Sequence, residues 1–478
     1  MRKAVTAPLA KGPEDSGALL SLRPRQLLSL IAIIVAGIVL LAETSAGDSS
    51  LAKAAIVVVL AIGLWTTGWL PEWLTALVFF SLCMMGKVAP AADVFAGFSS
   101  SATWLVLAGA VIGLAIQHTG LGDRLASRLT PFIGRSFPKA VVAVSLFGMA
   151  LTFAMPSAMG RVMLVLPILT ALADQLGYPF GSKGRRGVIL AGVFGTYLPA
   201  FAVLPANIPN TVFIGTVEAA LGTPPSYGQY FLLHFPVLGL CKALILLPLL
   251  IRLYRDTPRL PQSDVQRPAT KASPREIHLG IVLAIAVGLW ATDGWHGIPA
   301  AWVGMLVAVW CLFPGSGLMG KNPFSALKFE PIVYVAGIVS MGVIADRSGL
   351  GRQVAAWALS FLPLAPNAPG QTFGILSGLS TLVGMVVTLP GVPPVMTSLL
   401  SPLAGATHWP PLAVAMTQVL GFSTVILPYQ APPLVVAIQS GGLEAKDVVR
   451  LCLITAAITI VALWPLDFLW WRLLGWIG

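Results

Sequence analysis

The stretch between residues 145 and 176 constrains the fold most strongly, because it is apolar at both ends and broken in the middle. It reads SLFGMALTFAMPSAMGRVMLVLPILTALADQL, in which MPSAMGR separates two apolar arms. Each arm is shorter than the ~20 apolar residues that a helix needs to cross a bilayer core about 30 Å thick. We therefore predict a re-entrant helical hairpin whose tip lies deep in the membrane. Irregular backbone is tolerated there only against protein or a water-filled cavity, so the tip is a candidate substrate site.

Composition places the rest of the chain in a membrane as well. Of its 478 residues, 56% are hydrophobic and only 10% are charged, and the mean hydropathy is +0.86. This balance predicts an all-α polytopic membrane protein with the lipid bilayer as its partner. The net charge of +11 lies in short loops between apolar runs, which is typical of charge that sets topology and speaks against nucleic acid as a partner. The four cysteines lie far apart inside apolar segments, without the spacing of a disulfide or metal set.

Apolar runs and the residues that break them divide the chain into spans. We predict single spans near 27–42, 51–69, 73–89, 101–118, 230–253, 277–292, 298–314, 329–346 and 448–474, broken segments over 186–222 and 411–441, and a second hairpin over 371–406. The corresponding regions are a cytoplasmic tail (1–26), a first half with the first repeat (27–253), a cytoplasmic linker (254–276) and a second repeat (277–478). A signal peptide is an alternative for the first apolar run, but its length favours an uncleaved helix.

The two halves repeat three landmarks in the same order. A (T/S)GLG segment begins at Thr119 and again at Ser348, an offset of 229 residues. The hairpin tips MPS and LPG align with an offset of 234, and the broken segments LPANIPN and LPYQAPP align with an offset of 223. Nearly constant offsets indicate an internal duplication. Paired breaks at matching positions are the best pointer in a sequence to the binding site of a transporter.

Charge predicts how the two repeats are oriented. The first hairpin is flanked by many basic residues, namely Arg124, Arg128, Arg135, Lys139, Lys183, Arg185 and Arg186. The matching region over 349–407 carries only Arg352. Because basic loops remain in the cytoplasm, the first hairpin should enter from the cytoplasm and the second from outside. We therefore expect inverted-topology repeats in the cell membrane, with eleven crossings plus two hairpins, the N-terminus inside and the C-terminus outside.

Three segments resemble the divalent anion:sodium symporter family. They are GFSSSATWLVLAGAVIGLAIQHTGLGDRLA, MPSAMGRVMLVLPILTALADQLG and LPYQAPPLVVAIQSGGLEAKDVVR, and the resemblance covers nearly the whole chain after residue 50. It implies a homodimer in which a transport domain slides against a scaffold, as in an elevator. It also implies an anionic substrate, usually a dicarboxylate, a tricarboxylate or sulfate, that is coupled to sodium or exchanged for another anion.

The tips depart from the pattern that the resemblance implies, in which Ser-Asn-Thr tips hold substrate carboxylates and sodium. The first tip keeps Ser157 and an arginine, Arg161, but has Ala158 and Met159 where the family has Asn and Thr. The second tip is GVP, with none of the three side chains, and the last segment has Ala431 in place of Thr. The resemblance therefore predicts the fold, whereas the substrate and the coupling ion do not follow from it.

Candidate ligands lie at the breaks. Arg161 is an intramembrane cation and so a functional candidate, although capping of hairpin carbonyls is an alternative. The helix N-termini after each break can attract an anion without side chains. Amides at the aligned positions Asn207 and Gln430 are candidate ligands or caps. The predicted substrate-binding residues are Ser157, Ala158, Met159, Gly160, Arg161, Asn207, Asn210, Thr211, Thr388, Gly391, Val392 and Gln430, of which Ser157, Asn207 and Gln430 are also candidate sodium ligands.

The sequence thus favours a secondary active transporter of a small anion, a carboxylate or a related anion, with sodium as a candidate coupling ion and no other cofactor. A cation/proton antiporter of the same superfamily is the alternative. That chemistry needs titratable carboxylates at mid-membrane, whereas the acidic residues cluster at span ends and only Glu218 falls inside a broken segment. An enzyme is not expected, since the chain has no H-E-x-x-H motif and no paired intramembrane aspartates.

Overall fold

The computed structural model describes residues 24–46, 50–121, 124, 136–155, 157–257, 272–320, 322–364 and 367–477. Regular structure over these residues is helical throughout, as the sequence predicts. Most of the predicted N-terminal tail (1–26) and most of the predicted linker (254–276) lie outside the described residues. The proposed boundaries between the halves therefore stay a prediction.

Nine unbroken segments each cover one predicted span of the described chain. They are Pro24–Ala46, Ser50–Thr67, Glu72–Met85, Ser101–Thr119, Tyr227–Tyr254, Pro274–Ala291, Ala300–Leu312, Glu330–Arg347 and Ala445–Leu473. Short helices Ala91–Val94, Ala96–Ser99, Asp293–His296 and Leu350–Leu359 and a 3₁₀ turn, Pro323–Ala326, lie between them. Six helices of the described chain are long and apolar enough to cross a membrane, and further apolar helices are shorter.

The first hairpin consists of helices Phe137–Ala154 and Ala158–Gln175. Each arm has 18 residues, about 27 Å at 1.5 Å per residue. Each helix is therefore longer than its apolar arm alone and close to the thickness of a bilayer core, because the helices continue through Lys139 and Asp174 at their polar ends. The second hairpin runs from Pro369–Val387 through a 3₁₀ turn, Leu389–Gly391, into helices Val392–Ser398 and Leu400–Thr407.

Both broken segments contain the predicted breaks. The first, Lys183–Tyr197, gives way to 3₁₀ turns at Pro199–Ala202 and Leu204–Ala206 and resumes as Ile208–Leu221. The second, Pro411–Phe422, is followed by a turn at Pro428–Gln430 and resumes as Pro432–Ser440. Prolines account for the breaks, since proline has no N–H to donate and clashes with the preceding helical turn.

Glycine packing is the same in the two repeats. A Cβ added at Gly195 would lie 2.6 Å from the Cα of Ser145, and one added at Gly421 would lie 2.2 Å from the Cβ of Ser380. Each pair joins a broken helix to the first arm of its hairpin. The offsets, 226 for the glycines and 235 for the serines, match those of the sequence landmarks. Only glycine allows this close approach, so the duplication is visible in the packing as well as in the sequence.

Polar contacts group the helix ends into two faces. On one face Arg124 pairs with Glu276, and Arg186 pairs with Glu444. On the other face Arg347 pairs with Asp93, and Asp293 accepts a hydrogen bond from Ser226, 3.1 Å between oxygens. In a topology of inverted repeats with eleven crossings, the two helix ends joined by each of these contacts lie on the same side of the membrane.

Glu444 lies in the loop before the last helix, outside the membrane-spanning segments. Hydrogen bonding from the Lys446 ammonium, together with the charge of Arg186, holds the pKa of the Glu444 carboxyl below its usual range. The carboxyl is half-exposed, so water screens these interactions.

The helices Tyr227–Tyr254 and Ala445–Leu473 share an irregularity. Each changes to π-helical hydrogen bonding near its middle, at Phe235–Cys241 and at Thr459–Leu463. The two π turns begin 224 residues apart, close to the offset of the other landmarks. Single π turns inside α-helices often mark functional sites.

Candidate substrate site

The tips and breaks of both repeats meet around one cavity of about 230 Å³. Residues 157–159 of the first tip and 207–209 of the first break line it, as do residues 389–390 of the second tip and residues 430, 432 and 433 of the second break. Of the predicted site residues, it brings together Ser157, Ala158, Met159, Asn207 and Gln430.

Ser157 is the N-cap of the second arm of the first hairpin. Its Oγ accepts a hydrogen bond from the N–H of Gly160 at 3.1 Å, which satisfies one of the free N–H groups at the start of a helix. The hydroxyl proton is not used by this bond. Ser157 can therefore donate into the cavity while it caps, whereas Gly160 supplies a capped N–H and does not line the cavity.

Asn207 caps the helix that resumes after the first break. Its Oδ1 accepts from the N–H of Asn210 at 3.0 Å. The side chain is 2% exposed, and its Nδ2 has no hydrogen-bond partner. A buried donor without a partner is costly. Because Asn207 lines the cavity, an acceptor on a bound molecule can satisfy this group.

Gln430 occupies the aligned position in the second repeat but makes different bonds. Its Oε1 accepts from the N–H groups of Ile426 and Leu427, at 2.9 and 2.8 Å, and its Nε2 donates to the carbonyl of Gly384 at 2.9 Å. The amide therefore ties the second break to the second hairpin. Both lone pairs of Oε1 are occupied, so Gln430 does not fit a sodium ligand.

Arg161 is fully buried but does not line the cavity. Its guanidinium donates to the carbonyls of Met155, Ala206 and Thr196 and to the Thr196 hydroxyl, at 2.8 Å for Ala206 and 2.9 Å for the hydroxyl. These carbonyls belong to the first tip and to both sides of the first break. The geometry therefore matches the capping alternative and offers no direct contact with an anion in the cavity.

The other predicted site residues also lie outside the cavity wall. The Nδ2 of Asn210 donates to Ala200 and Val203 inside the first break, at 2.9 and 2.8 Å, and Thr211 donates to the carbonyl of its own helix turn. Thr388 ends the first arm of the second hairpin with a left-handed φ of 63°. Gly391 and Val392 are buried behind the second tip.

Six lining residues, among them Trp73 and Pro331, come from places that the sequence analysis did not single out. Glu72 and Glu330 begin the helices Glu72–Met85 and Glu330–Arg347, and Tyr334 lies one turn after Glu330. Tyr197 ends the helix before the first break. The positive end of each helix dipole stabilises the carboxylate at the start of that helix. No local pattern could have identified these residues, because they reach the cavity from separate helices.

Glu218, the intramembrane acid that the sequence singled out, has a structural role. Its Oε2 accepts from the N–H and the hydroxyl of Ser101 at 3.0 and 2.6 Å. Ser101 begins the helix Ser101–Thr119. The carboxylate thus satisfies a helix N-terminus and lies outside the cavity.

The two repeats contribute unlike walls. Among the tips and breaks, the polar groups with an unused donor come from the first repeat, namely Ser157 and Asn207. The second tip and the second break contribute Leu389 and the prolines 390, 432 and 433, beside an amide whose bonds are already made. Among the described residues no lysine or arginine lines the cavity, and no group of three or more His, Cys, Asp or Glu could hold a metal ion.

Two inverted repeats whose hairpin tips and helix breaks enclose one cavity define a class of membrane transporter, and not an enzyme. Comparison with known proteins identifies the family. The family model described as the sodium:sulfate symporter transmembrane region matches residues 24–477, so the chain belongs to this family.

Individual relatives agree with the family. An L-tartrate/succinate antiporter of Escherichia coli K12 is 25% identical over 401 residues, which are 78% of this chain and 79% of that protein. A protein of Cupriavidus necator, described as a membrane protein, is 24% identical over 402 residues, 80% of this chain and 77% of the relative. The crystal structure of the Alcanivorax borkumensis YdaH transporter shares the fold, with a TM-score of 0.56 at 15% identity over 90% of this chain and 99% of that one.

Proposed function

We propose that this protein is a secondary transporter that binds a small anion through a single carboxylate group. The observation that carries the proposal is Asn207, a lining residue of the cavity whose Nδ2 is a buried donor without a hydrogen-bond partner. The Ser157 hydroxyl and the N-terminus of the helix that follows it are further donors on the same side. The antiporter relatives named for tartrate and succinate support a carboxylate as the cargo.

A second carboxylate on the same molecule would find no cationic partner among the described lining residues and no donor on the second tip or the second break. The opposite wall consists of Leu389 and the prolines 390, 432 and 433, and proline offers no N–H. The carboxylates of Glu72 and Glu330 also line the cavity, and like charges repel. Burying a charge without a partner costs several kcal/mol. We therefore propose a cargo with one carboxylate and an apolar or uncharged remainder.

Transport would follow the elevator scheme that the family resemblance implies. In this proposal the hairpins and broken helices move with the cargo against helices such as Glu72–Met85 and Glu330–Arg347, whose first turns close the cavity from the other side. The protein would work as a homodimer in the inner membrane, with its N-terminus in the cytoplasm and with transport coupled to an ion gradient. The basic residues that flank the first hairpin support this orientation.

A matched pair of ligands tests the single-carboxylate site. Succinate and monomethyl succinate have the same carbon skeleton but carry two carboxylates and one. We expect monomethyl succinate to raise the unfolding temperature of the purified protein more than succinate does, and to enter proteoliposomes preloaded with it faster than it enters protein-free vesicles. Stronger binding of succinate would refute the single-carboxylate site. If a wider panel of carboxylates and sulfate gave no flux while sodium–proton exchange appeared, the antiporter alternative would replace the proposal.

A further inference from the structure

A second polar cluster lies inside the protein, away from the cavity. Its members are Asp467 and His234, which are fully buried, and Lys242, which is 3% exposed. Neither oxygen of Asp467 and neither ring nitrogen of His234 has a hydrogen-bond partner. A carboxylate left in this state inside a membrane protein is costly and, as a rule, functional.

The cluster is built on the two helices with π turns. Lys242 is the first residue after the π turn Phe235–Cys241, and Asp467 lies in the first helical turn after Thr459–Leu463. The Lys242 ammonium and the Asp467 carboxylate interact electrostatically, with the Trp471 indole beside the carboxylate. Lys242 and Asp467 are 225 residues apart, so the duplication places them at nearly equivalent positions in the two repeats.

We propose that Asp467 is a proton-binding site, with Lys242 as its charge partner, and that the proton it binds is coupled to transport. A proton converts this carboxylate, whose oxygens accept no hydrogen bond, into a neutral acid and so removes the cost of burying its charge. A sodium ion fits less well, because it would need several oxygen ligands and would lie near an ammonium of the same charge. The coupling rests on the proposed transport of a carboxylate, whereas proton binding itself does not.

The surroundings of Asp467 contain few other titratable groups. On Tyr227–Tyr254 these are Lys242, His234, Tyr230 and Cys241, and the Tyr230 hydroxyl donates to the Phe201 carbonyl at 2.6 Å. The hairpin arm Pro369–Val387 and the broken-helix half Pro411–Phe422 carry none. On the same segment as Asp467, Cys452 is buried in the helix that precedes the π turn. Arg472 is exposed, and its guanidinium lies 5.9 Å from the centre of the Phe468 ring.

Lys242 connects the cluster to the cavity. Its Nζ donates to the carbonyl of Ser423 at 3.0 Å, and Ser423 follows the end of the first half of the second broken helix. The chain runs from there through the break to Gln430, which lines the cavity. Protonation of Asp467 removes the countercharge of Lys242 and leaves the Ser423 carbonyl as its hydrogen-bonded partner. One proton bound with each monocarboxylate means that loading adds no net charge to the transporter.

The first experiment compares Asp467→Asn with the wild type in proteoliposomes, using labelled monomethyl succinate. We expect a pH gradient with the acidic side outside to drive accumulation of monomethyl succinate in vesicles that contain the wild type, and not in vesicles that contain Asp467→Asn. Counterflow exchange needs no net proton movement and should survive in the variant. Asp174→Asn is the control, because Asp174 is exposed at the end of the first hairpin. Wild-type accumulation by Asp467→Asn under the same gradient would overturn the coupling.

The second experiment needs no transport. An unfolded aspartate is ionised at neutral pH, so a folded protein that holds a proton on Asp467 should lose stability as the pH rises from 5.5 to 8. Asp467→Asn should remove that loss and Asp174→Asn should keep it. If Asp467→Asn folds poorly, the pair Asp467→Asn with Lys242→Met should restore the unfolding temperature, because it leaves no buried charge. Identical pH dependence in the wild type and in Asp467→Asn, or in the wild type and the double variant, would refute proton binding even if no carboxylate were transported.

Discussion

Asn207 gives the sharpest test of the site, because its two side-chain atoms have separable roles. Oδ1 caps the helix after the first break, and Nδ2 is buried without a hydrogen-bond partner. Asn207→Ser keeps a good N-cap and removes Nδ2, because the shorter side chain has no atom at that position, whereas Asn207→Ala removes both the cap and the donor. A hydrogen bond to a charged group contributes about 1.5–3 kcal/mol, so Asn207→Ser should weaken binding of monomethyl succinate about 10- to 150-fold.

Stability should separate the two variants. Loss of the cap costs about 1 kcal/mol, so Asn207→Ala should unfold at a lower temperature than Asn207→Ser, which should resemble the wild type. Titration calorimetry for binding and thermal unfolding in detergent for stability measure the two effects on the same samples. The reasoning fails if Asn207→Ser binds monomethyl succinate within twofold of the wild type.

Gln430 is the matched control from the other repeat. Its amide makes three hydrogen bonds to the second break and the second hairpin, at about 1 kcal/mol each. Gln430→Met keeps the length of the side chain but loses these three hydrogen bonds, so it should lower the free energy of unfolding by about 3 kcal/mol. Affinity should fall less than in Asn207→Ser. The reverse pattern would assign ligand binding to the second repeat.

Three further changes test other parts of the structure. Arg161→Met should lower stability by about 3 kcal/mol or more, because three backbone carbonyls lose their donor; lost binding at an unchanged unfolding temperature would instead indicate a direct anion contact. Gly421→Ala should cost about 1–3 kcal/mol by overpacking against Ser380, whereas Gly378→Ala, which meets open space, should be neutral in thermal unfolding. Glu444→Gln should reduce the loss of thermal stability at acid pH. A carboxyl with a lowered pKa adds stability to the folded protein, and this stability is lost as the pH falls below about 4. The same loss of stability in the wild type and in Glu444→Gln would contradict this.

The breaks and the duplication could be predicted because closely spaced prolines interrupt helices and the same pattern recurs in both halves. The order of landmarks in MPS, LPG, LPANIPN and LPYQAPP was enough to place the tips and breaks, and the structure brings all four to one cavity. The length of the hairpin arms could not be predicted from hydropathy alone. A helix is held by its own backbone bonds, so it continues past Lys139 and Asp174 into polar surroundings.

The interaction partners of the buried charged residues could not be predicted from the sequence. A buried arginine can neutralise an anion or satisfy carbonyls, and only the fold shows that Arg161 does the second. Asp467 falls inside the predicted span near 448–474, but only the fold shows that the side chain is fully buried. Glu72 and Glu330 meet at the cavity from helices far apart in the chain. Such encounters depend on how helices pack, and the residues themselves carry no signal of them.

The two π turns also bear on the history of the chain. A π turn holds one residue more than the α-helical turn that it replaces, so it records an insertion. The turns at Phe235–Cys241 and Thr459–Leu463 lie at matching positions of the two repeats. A single insertion in the ancestral half, before the gene was duplicated, accounts for both. The helix distortion would then be older than the two-repeat transporter, and the unlike residues that follow it, Lys242 and Asp467, would be later specialisations beside an inherited feature.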